Sequence, residues 1–147
     1  MSVPVTAPMT DEARKHIALE YLKRLDTGRD VLELFDEHAQ VFFPKCPLAN
    51  GLDEIRALFG RVGELIAAIS HDYAYFNYIA QGDTLVVEGT SSGTTTGGAT
   101  WRAGVTHAGR WCDVFEIRDH RIQRLFIYLD PDYADADVAR YPWLARS

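Results

Sequence analysis

Asp113 stands in a row of apolar residues within the segment 110–118. Side chains on a strand alternate between two faces, so Trp111, Phe115 and Ile117 share one face with Asp113, while arginine and glutamate occupy the other. A carboxyl group removed from water must find a charge partner, collect hydrogen bonds or take up a proton. A protonated aspartic acid in a dry cavity would be a strong hydrogen-bond donor. The alternatives are a structural aspartate bonded to backbone or arginine, and an edge aspartate that stays in water.

The composition predicts one globular domain. The chain has 147 residues, of which 47% are hydrophobic and 12% aromatic, enough for a hydrophobic core. A net charge of -6 without a basic run argues against a nucleic-acid partner. No segment approaches the roughly 18 to 20 apolar residues of a membrane helix.

Residues 1–10 are expected to form a disordered arm rather than a signal peptide, ahead of a single domain at 11–147. Two cysteines without a CxxC spacing predict free thiols and a cytoplasmic location.

The predicted elements are helices first and long strands afterwards. Thr10 can cap a helix that the residues 26–28 end, a short second helix is predicted at 30–35, and a third opens at 50–51 and reaches residue 66. Strands are predicted at 40–43, 71–80, 84–91, 105–117 and 122–130, and a last short helix at 131–140. This order is typical of an α+β fold whose helices cover one face of a curved antiparallel sheet.

The register of the last two strands decides which residues share the face of Asp113. One register brings Phe126, Tyr128 and Asp130 onto that face. A bulge at the turn would instead bring Leu125, Ile127 and Leu129 there. The second set is uniformly apolar, and we therefore expect the bulge.

Several strings of residues resemble the SnoaL-like group of the nuclear-transport-factor-2-like superfamily, to which ketosteroid isomerases also belong. These strings are YLKRLDTG at 21–28, LFDEHA at 34–39 with VFFP at 41–44, His71, the turn at 82–83, DVFEIRDHRI at 113–122, and YLD at 128–130. The resemblance covers about residues 11–140. It implies an α+β cone, in which a strongly bent antiparallel sheet wraps the N-terminal helices and leaves an apolar pocket open at one end.

The resemblance also implies roles for individual residues. Tyr21 falls at the oxyanion-hole tyrosine of ketosteroid isomerase, and Asp113 at its neutral aspartic acid. The proton-shuttling base of that family would fall at Phe43, which cannot move a proton, so the same isomerisation mechanism is not expected. His71, placed at the start of the first strand after the third helix, resembles the acid/base histidine of dehydratases in this superfamily.

The implied activity is that of an isomerase, cyclase or dehydratase acting on a small apolar carbonyl compound, with Tyr21, His71 and Asp113 as catalytic residues. The side chains expected to contact the substrate are Phe43, Phe59, Trp111, Phe115 and Ile127. No cofactor is implied, and no cluster of residues with metal-ligand spacing is present. Members of this superfamily commonly pair through the outer sheet face, which implies a homodimer. The alternative is a binding or assembly module of the same fold without turnover, and Phe43 favours that alternative.

Overall fold

The computed structural model describes residues 8–144, so most of the predicted N-terminal arm lies outside the described residues. The helices are α1 (Asp11–Asp26) and α2 (Gly51–Leu65), and single 3₁₀ turns cover Leu32–Leu34, Tyr73–Tyr75 and Val138–Arg140. The strands are β1 (Phe35–Phe42), β2 (Ala49–Asn50), β3 (Ile66–His71), β4 (Asn77–Gln81), β5 (Thr84–Thr95), β6 (Thr100–Arg102), β7 (Arg110–Arg118) and β8 (Arg121–Leu129).

The described strands form one curved, open sheet of eight strands, in the order β2-β1-β8-β7-β5-β3, with β4 and β6 also paired to β5. Strand β1 runs parallel to β8, and the other pairs are antiparallel. Helix α1 packs against β3 and β5, and α2 packs against β1. The predicted α+β class is confirmed.

Helix α1 is specified by its cap and by one buried face. The hydroxyl of Thr10 accepts a hydrogen bond from the backbone N–H of Ala13 at 3.0 Å, which satisfies one of the free donors at the start of the helix. The side chains that face the sheet recur at helical spacing and are buried; they are Ile17, Ala18, Tyr21 and Leu22. The helix ends at Asp26, and Gly28 turns the chain with a φ of 68°.

Two predicted helices are wrong. In the segment 30–35 only a 3₁₀ turn forms, and Phe35 already begins β1, because pairing with β8 buries the inward row of that strand. In the segment 131–140 the Asp132 carboxylate accepts hydrogen bonds from the backbone N–H groups of Ala136 and Asp137, at 2.9 and 2.8 Å. These bonds hold a series of turns that ends in a 3₁₀ turn.

The prediction that His71 starts a strand is also wrong, because His71 is the last residue of β3. Helix α2 stops at Leu65, and the next six residues form β3, five of which pair with the end of β5. Strand β5 continues to Thr95, past the predicted end at residue 91, and thereby supplies the partner for β3.

The predicted bulge between the last two strands is confirmed. The pairing of β7 with β8 shifts between Glu116 and Ile117, and beyond the shift Phe115 pairs with Leu125 and Asp113 with Ile127. The apolar row of β8 therefore shares the face of Asp113. Phe126 and Tyr128 point to the other face.

A buried arginine closes the hairpin end of the sheet. Arg14 on α1 donates from Nε to the carbonyl of Ile117 at 2.9 Å, and from its two terminal nitrogens to the carbonyl of Met9 at 3.1 Å and to Asp83 at 2.8 Å. The backbone N–H of Ile117 in turn donates to the carbonyl of Asp83 at 2.9 Å. The start of α1, the β4–β5 turn and the bulge are thus tied together.

Candidate functional site

A cavity of about 650 Å³ opens at the other end of α1. Its wall is built from the C-terminal half of α1 and the loop after it, one side of α2, strand β3, and the inner face of β5, β7 and β8. This volume lies within the range of pockets that enclose small organic molecules, roughly 300 to 1,000 Å³.

The cavity wall brings together most of the residues that the sequence singled out. Tyr21, His71 and Asp113 all line it, although they come from α1, β3 and β7. The wall also contains Phe43, Phe59, Trp111 and Ile127. Phe115 does not line the cavity: it is fully buried and packs edge-on against the Tyr21 ring, with ring centroids 5.7 Å apart. Its contact is with Tyr21 rather than with the space a ligand would fill.

Asp113 is buried on the inner face of the sheet, where it is 3% exposed. It pairs across the sheet with Val87 and Ile127. Its carboxyl group forms no hydrogen bond and no ion pair with any residue in the range 8–144. Burial raises the pKa of Asp113 from its ordinary value of 3.8 to about 8. Near neutral pH the carboxyl group therefore carries its proton and is a hydrogen-bond donor.

Two tyrosines lie close to this carboxyl group, Tyr21 from α1 and Tyr133 from the segment after β8. Both line the cavity, and both are almost completely buried. Burial, followed by the negative charge that Asp113 would carry, raises the pKa of both phenols. Neither hydroxyl forms a hydrogen bond with a residue of the described chain. Both phenols therefore stay protonated and free to donate.

His71 is oriented by a carboxylate at the end of α1. Its Nδ1 lies 2.5 Å from Oδ1 of Asp26, and its backbone N–H donates to Oδ2 at 3.0 Å. The hydroxyl of Tyr73 also donates to Oδ2 of Asp26, at 2.8 Å. With Nδ1–H directed at a carboxylate, Nε2 is the nitrogen with the free lone pair.

Asp26 is ionised in this arrangement. Burial raises the pKa of its carboxyl group, but the hydrogen bonds from the His71 ring, the His71 backbone and the Tyr73 hydroxyl lower it by more, and the net shift is downward. Sequence reasoning treated Asp26 only as part of the helix stop. One signal was available: a negative charge in the last turn of a helix opposes the helix dipole, which favours cations there.

Trp111 also lines the cavity, two residues before Asp113 on β7. Its ring is perpendicular to the His71 imidazole, with centroids 5.3 Å apart. Gly89 faces Trp111 across the sheet, and a Cβ atom at that position would come within 2.9 Å of the Trp111 ring and 2.8 Å of Phe76. The absence of a side chain at Gly89 therefore gives the indole its place.

Within residues 8–144 no group of three or more histidine, cysteine, aspartate or glutamate side chains is arranged to hold a metal ion. Over the same range no helix is both long and apolar enough to span a membrane.

The curved sheet, the helices packed against it and the cavity at the end of α1 are typical of the nuclear-transport-factor-2-like fold, which this chain shares. Residues 18–125 match the SnoaL-like domain, and the chain belongs to the SnoaL-like family. The sequence matches no curated protein.

Several solved structures share the fold. A provisionally assigned isomerase from Bacillus subtilis superposes with a TM-score of 0.68 at 20% identity, over 86% of this chain and 94% of that one. A provisionally assigned SnoaL-like polyketide cyclase from Jannaschia sp. CCS1 gives 0.68 at 13% identity, over 89% and 99%. TerC, co-crystallised with polyporic acid, gives 0.66 at 16% identity, over 91% and 99%. At these identities the likeness establishes the fold alone.

Proposed function

We propose that this protein is an acid/base enzyme that moves a proton on a carbon atom next to the carbonyl group of a small apolar substrate. The observation that carries the proposal is the wall of one cavity. It holds an imidazole oriented by a carboxylate, and it also holds a buried, unpaired carboxyl group beside a phenol. The first pair suits a general base and the second suits an oxyanion hole.

In the proposed reaction the substrate carbonyl oxygen accepts hydrogen bonds from Asp113 and Tyr21. Nε2 of His71 removes a proton from the adjacent carbon, and the electron pair of that C–H bond moves to form an enolate. Return of the proton to another carbon gives isomerisation, attack of the enolate carbon on a second carbonyl gives ring closure, and departure of a β-hydroxyl group with the proton of His71 gives dehydration. Each oxyanion donor supplies roughly 3 kcal/mol of transition-state stabilisation.

Asp26 acts through His71 as a positioning residue. The carboxylate fixes the imidazole with Nδ1 inward, and it stabilises the positive charge that His71 gains on taking a proton. The short contact and the second bond to the His71 backbone hold the ring in one orientation. The base therefore does not need to reorganise during the reaction.

Phe43 supports a histidine rather than a carboxylate as the base. It lines the cavity at the position where the resemblance to ketosteroid isomerase places the proton shuttle. Since a phenylalanine cannot carry a proton, we assign the role of the base to His71, which lines the same cavity. The names of the neighbours support a small organic ligand, since TerC was crystallised with polyporic acid.

The experiment is deuterium exchange at the α-carbon of 2-tetralone and other apolar cyclic ketones in heavy water, followed by NMR. The wild-type protein is expected to accelerate exchange. His71→Gln should reduce the rate by about 10²- to 10⁴-fold, the usual contribution of a positioned base. His38→Gln, which alters an exposed histidine, should leave the rate unchanged. Full retention of exchange in His71→Gln would contradict the role of His71.

A binding module without turnover is the second candidate, and Phe43 favours it because the proton shuttle of the related isomerases is missing. The same experiment separates the two. A ketone that binds in the cavity with micromolar affinity and shows no enhanced exchange would favour the binding module.

We also propose a cytoplasmic homodimer that pairs through the outer face of the sheet. On that face the ring of Phe42 lies 5.7 Å from Phe126 and 5.8 Å from Tyr128, and the Tyr128 side chain is about half exposed. Sedimentation of the wild type and of Tyr128→Glu tests this pairing. A wild-type protein that sediments as a monomer at all concentrations would refute it.

A further inference from the structure

Tyr133 brings a second phenol to the cavity, from a segment in which no functional residue was predicted. The side chain is 3% exposed and lines the cavity with Tyr21 and Asp113. It lies four residues after the end of β8, and its backbone N–H donates to the carbonyl of Pro131 at 2.9 Å.

The position of the Tyr133 ring is fixed by Trp101 on β6. The two rings lie 4.4 Å apart between centroids. Trp101 in turn lies over Gly93, where a Cβ atom would come within 2.3 Å of the indole. Its Nε1 donates to the hydroxyl of Ser91 at 3.1 Å, and that hydroxyl donates to the carbonyl of Gly109 at 3.3 Å. A hydrogen-bonded indole without room to move therefore supports one face of Tyr133.

Tyr21, Asp113 and Tyr133 are all more than nine-tenths buried, and none of their side-chain oxygens bonds to another or to any residue in the range 8–144. Within that range the Trp111 indole nitrogen is the only side-chain nitrogen or oxygen that is fully enclosed without a partner. The three groups therefore face open space in the cavity. A buried donor without a partner lowers the stability of the fold. A ligand that places a hydrogen-bond acceptor beside these three oxygens would remove that cost.

We infer that Tyr133 is a third hydrogen-bond donor, and that Tyr21, Asp113 and Tyr133 together bind the anionic oxygen of an enolate or phenolate on an apolar ring. A neutral carbonyl oxygen offers two lone pairs, whereas an enolate or phenolate oxygen offers three and forms stronger hydrogen bonds. A cavity with three donors therefore binds the enolate or phenolate more tightly than the neutral form of the same ligand. This inference rests on the proposed function, because it takes the same oxygen to be the one on which charge develops.

The test uses 2-naphthol and naphthalene, which share a ring system and differ by the hydroxyl group. Binding is followed by fluorescence, which also distinguishes neutral from ionised naphthol. Tyr133→Phe is expected to weaken 2-naphthol by about 10-fold, the effect of losing one hydrogen bond to a charged acceptor. It should also lower the ionised fraction of the bound naphthol. Naphthalene affinity should stay within about twofold. Tyr128→Phe, on the outer face, is the matched control and should change neither.

The outcomes separate this inference from the proposed function. If Tyr21→Phe weakens 2-naphthol and Tyr133→Phe does not, the inference about Tyr133 fails and the proposed function stands. If neither variant weakens 2-naphthol, the oxyanion site itself is refuted. If Tyr133→Phe weakens naphthalene as much as 2-naphthol, Tyr133 serves packing alone and the inference fails.

Discussion

The buried polar groups at the two ends of helix α1 differ in whether they have hydrogen-bond partners. At the hairpin end Arg14 is 7% exposed, and each nitrogen of its guanidinium group has an acceptor: Ile117, Met9 or Asp83. At the cavity end Asp113 and its neighbouring phenols are at least as buried and have no acceptor or donor partner in residues 8–144. Strand β7 takes part at both ends, because it carries Ile117 as well as Asp113.

This difference indicates different purposes. A buried polar group with all its bonds made specifies how the elements fit together, whereas one left without partners lowers stability unless something else binds it. The bonds at the hairpin end therefore stabilise the fold, whereas the unpaired groups at the cavity end lower its stability, and the proposed function would use them to bind a ligand. Asp26 combines both roles, because its bonds orient His71 while His71 Nε2 stays free.

The largest effect is expected from the titration of Asp113. The folded protein retains the Asp113 proton up to about pH 8, whereas the unfolded chain releases it near pH 4. The unfolded state therefore binds fewer protons between these values, and stability should fall as pH rises, by up to about 1.4 kcal/mol per pH unit. Urea unfolding at about pH 5, 7 and 9 measures this slope.

Asp113→Asn should remove this part of the slope, and Asp53→Asn, at an exposed position, should leave it unchanged. The quantity to compare is the difference in the free energy of unfolding between wild type and variant at each pH. A difference that does not vary with pH would show that Asp113 titrates normally, and the idea of a neutral donor would then be wrong.

A smaller loss is expected at the hairpin end. Arg14→Met leaves the Ile117 carbonyl without its side-chain donor and Asp83 without its cation. We expect a loss of about 3 kcal/mol, toward the lower end for a broken buried pair because Asp83 is partly exposed. Arg56→Met, which removes an exposed pair on α2, should change stability by less than about 0.5 kcal/mol. Equal effects of the two variants would abolish the contrast between the ends.

The smallest expected effect lies at the cap of α1. Thr10→Ala removes the acceptor for the Ala13 N–H and should cost about 1 kcal/mol. Thr10→Ser keeps the hydroxyl and should cost little. Chemical denaturation of both variants measures the difference. If Thr10→Ala leaves the free energy of unfolding unchanged, the cap does not stabilise α1, and the start of the helix depends on the bonds of Arg14.

The sequence predicts the parts of this molecule that local periodicity governs. The alternation in 110–118 predicts the burial of Asp113, and the choice between two rows in β8 predicts the bulge, because both follow from side chains alternating across a strand. The helical prediction for 30–35 is wrong because pairing with β8 brings Phe35 into β1. The prediction for 131–140 is wrong because the Asp132 carboxylate bonds to nearby backbone N–H groups and holds turns instead.

The pairing of Asp26 with His71 could not be predicted in the same way. Asp26 and His71 meet although they are 45 residues apart in the chain, and no local pattern connects the end of a helix with the end of a strand. Tyr133 was missed for a related reason: its environment is created by Trp101 and Gly93, which belong to other strands.

The bulge between Glu116 and Ile117 has a consequence for how this protein can change. It displaces β8 by one residue, and the displacement alone decides that Leu125 and Ile127, rather than Phe126 and Tyr128, lie beside Asp113. A substitution in β8 alters one contact, whereas a single-residue deletion at the bulge would exchange the entire inner row for the outer one. A change in length at this hairpin is therefore expected to alter the cavity wall and the outer face of the sheet at the same time.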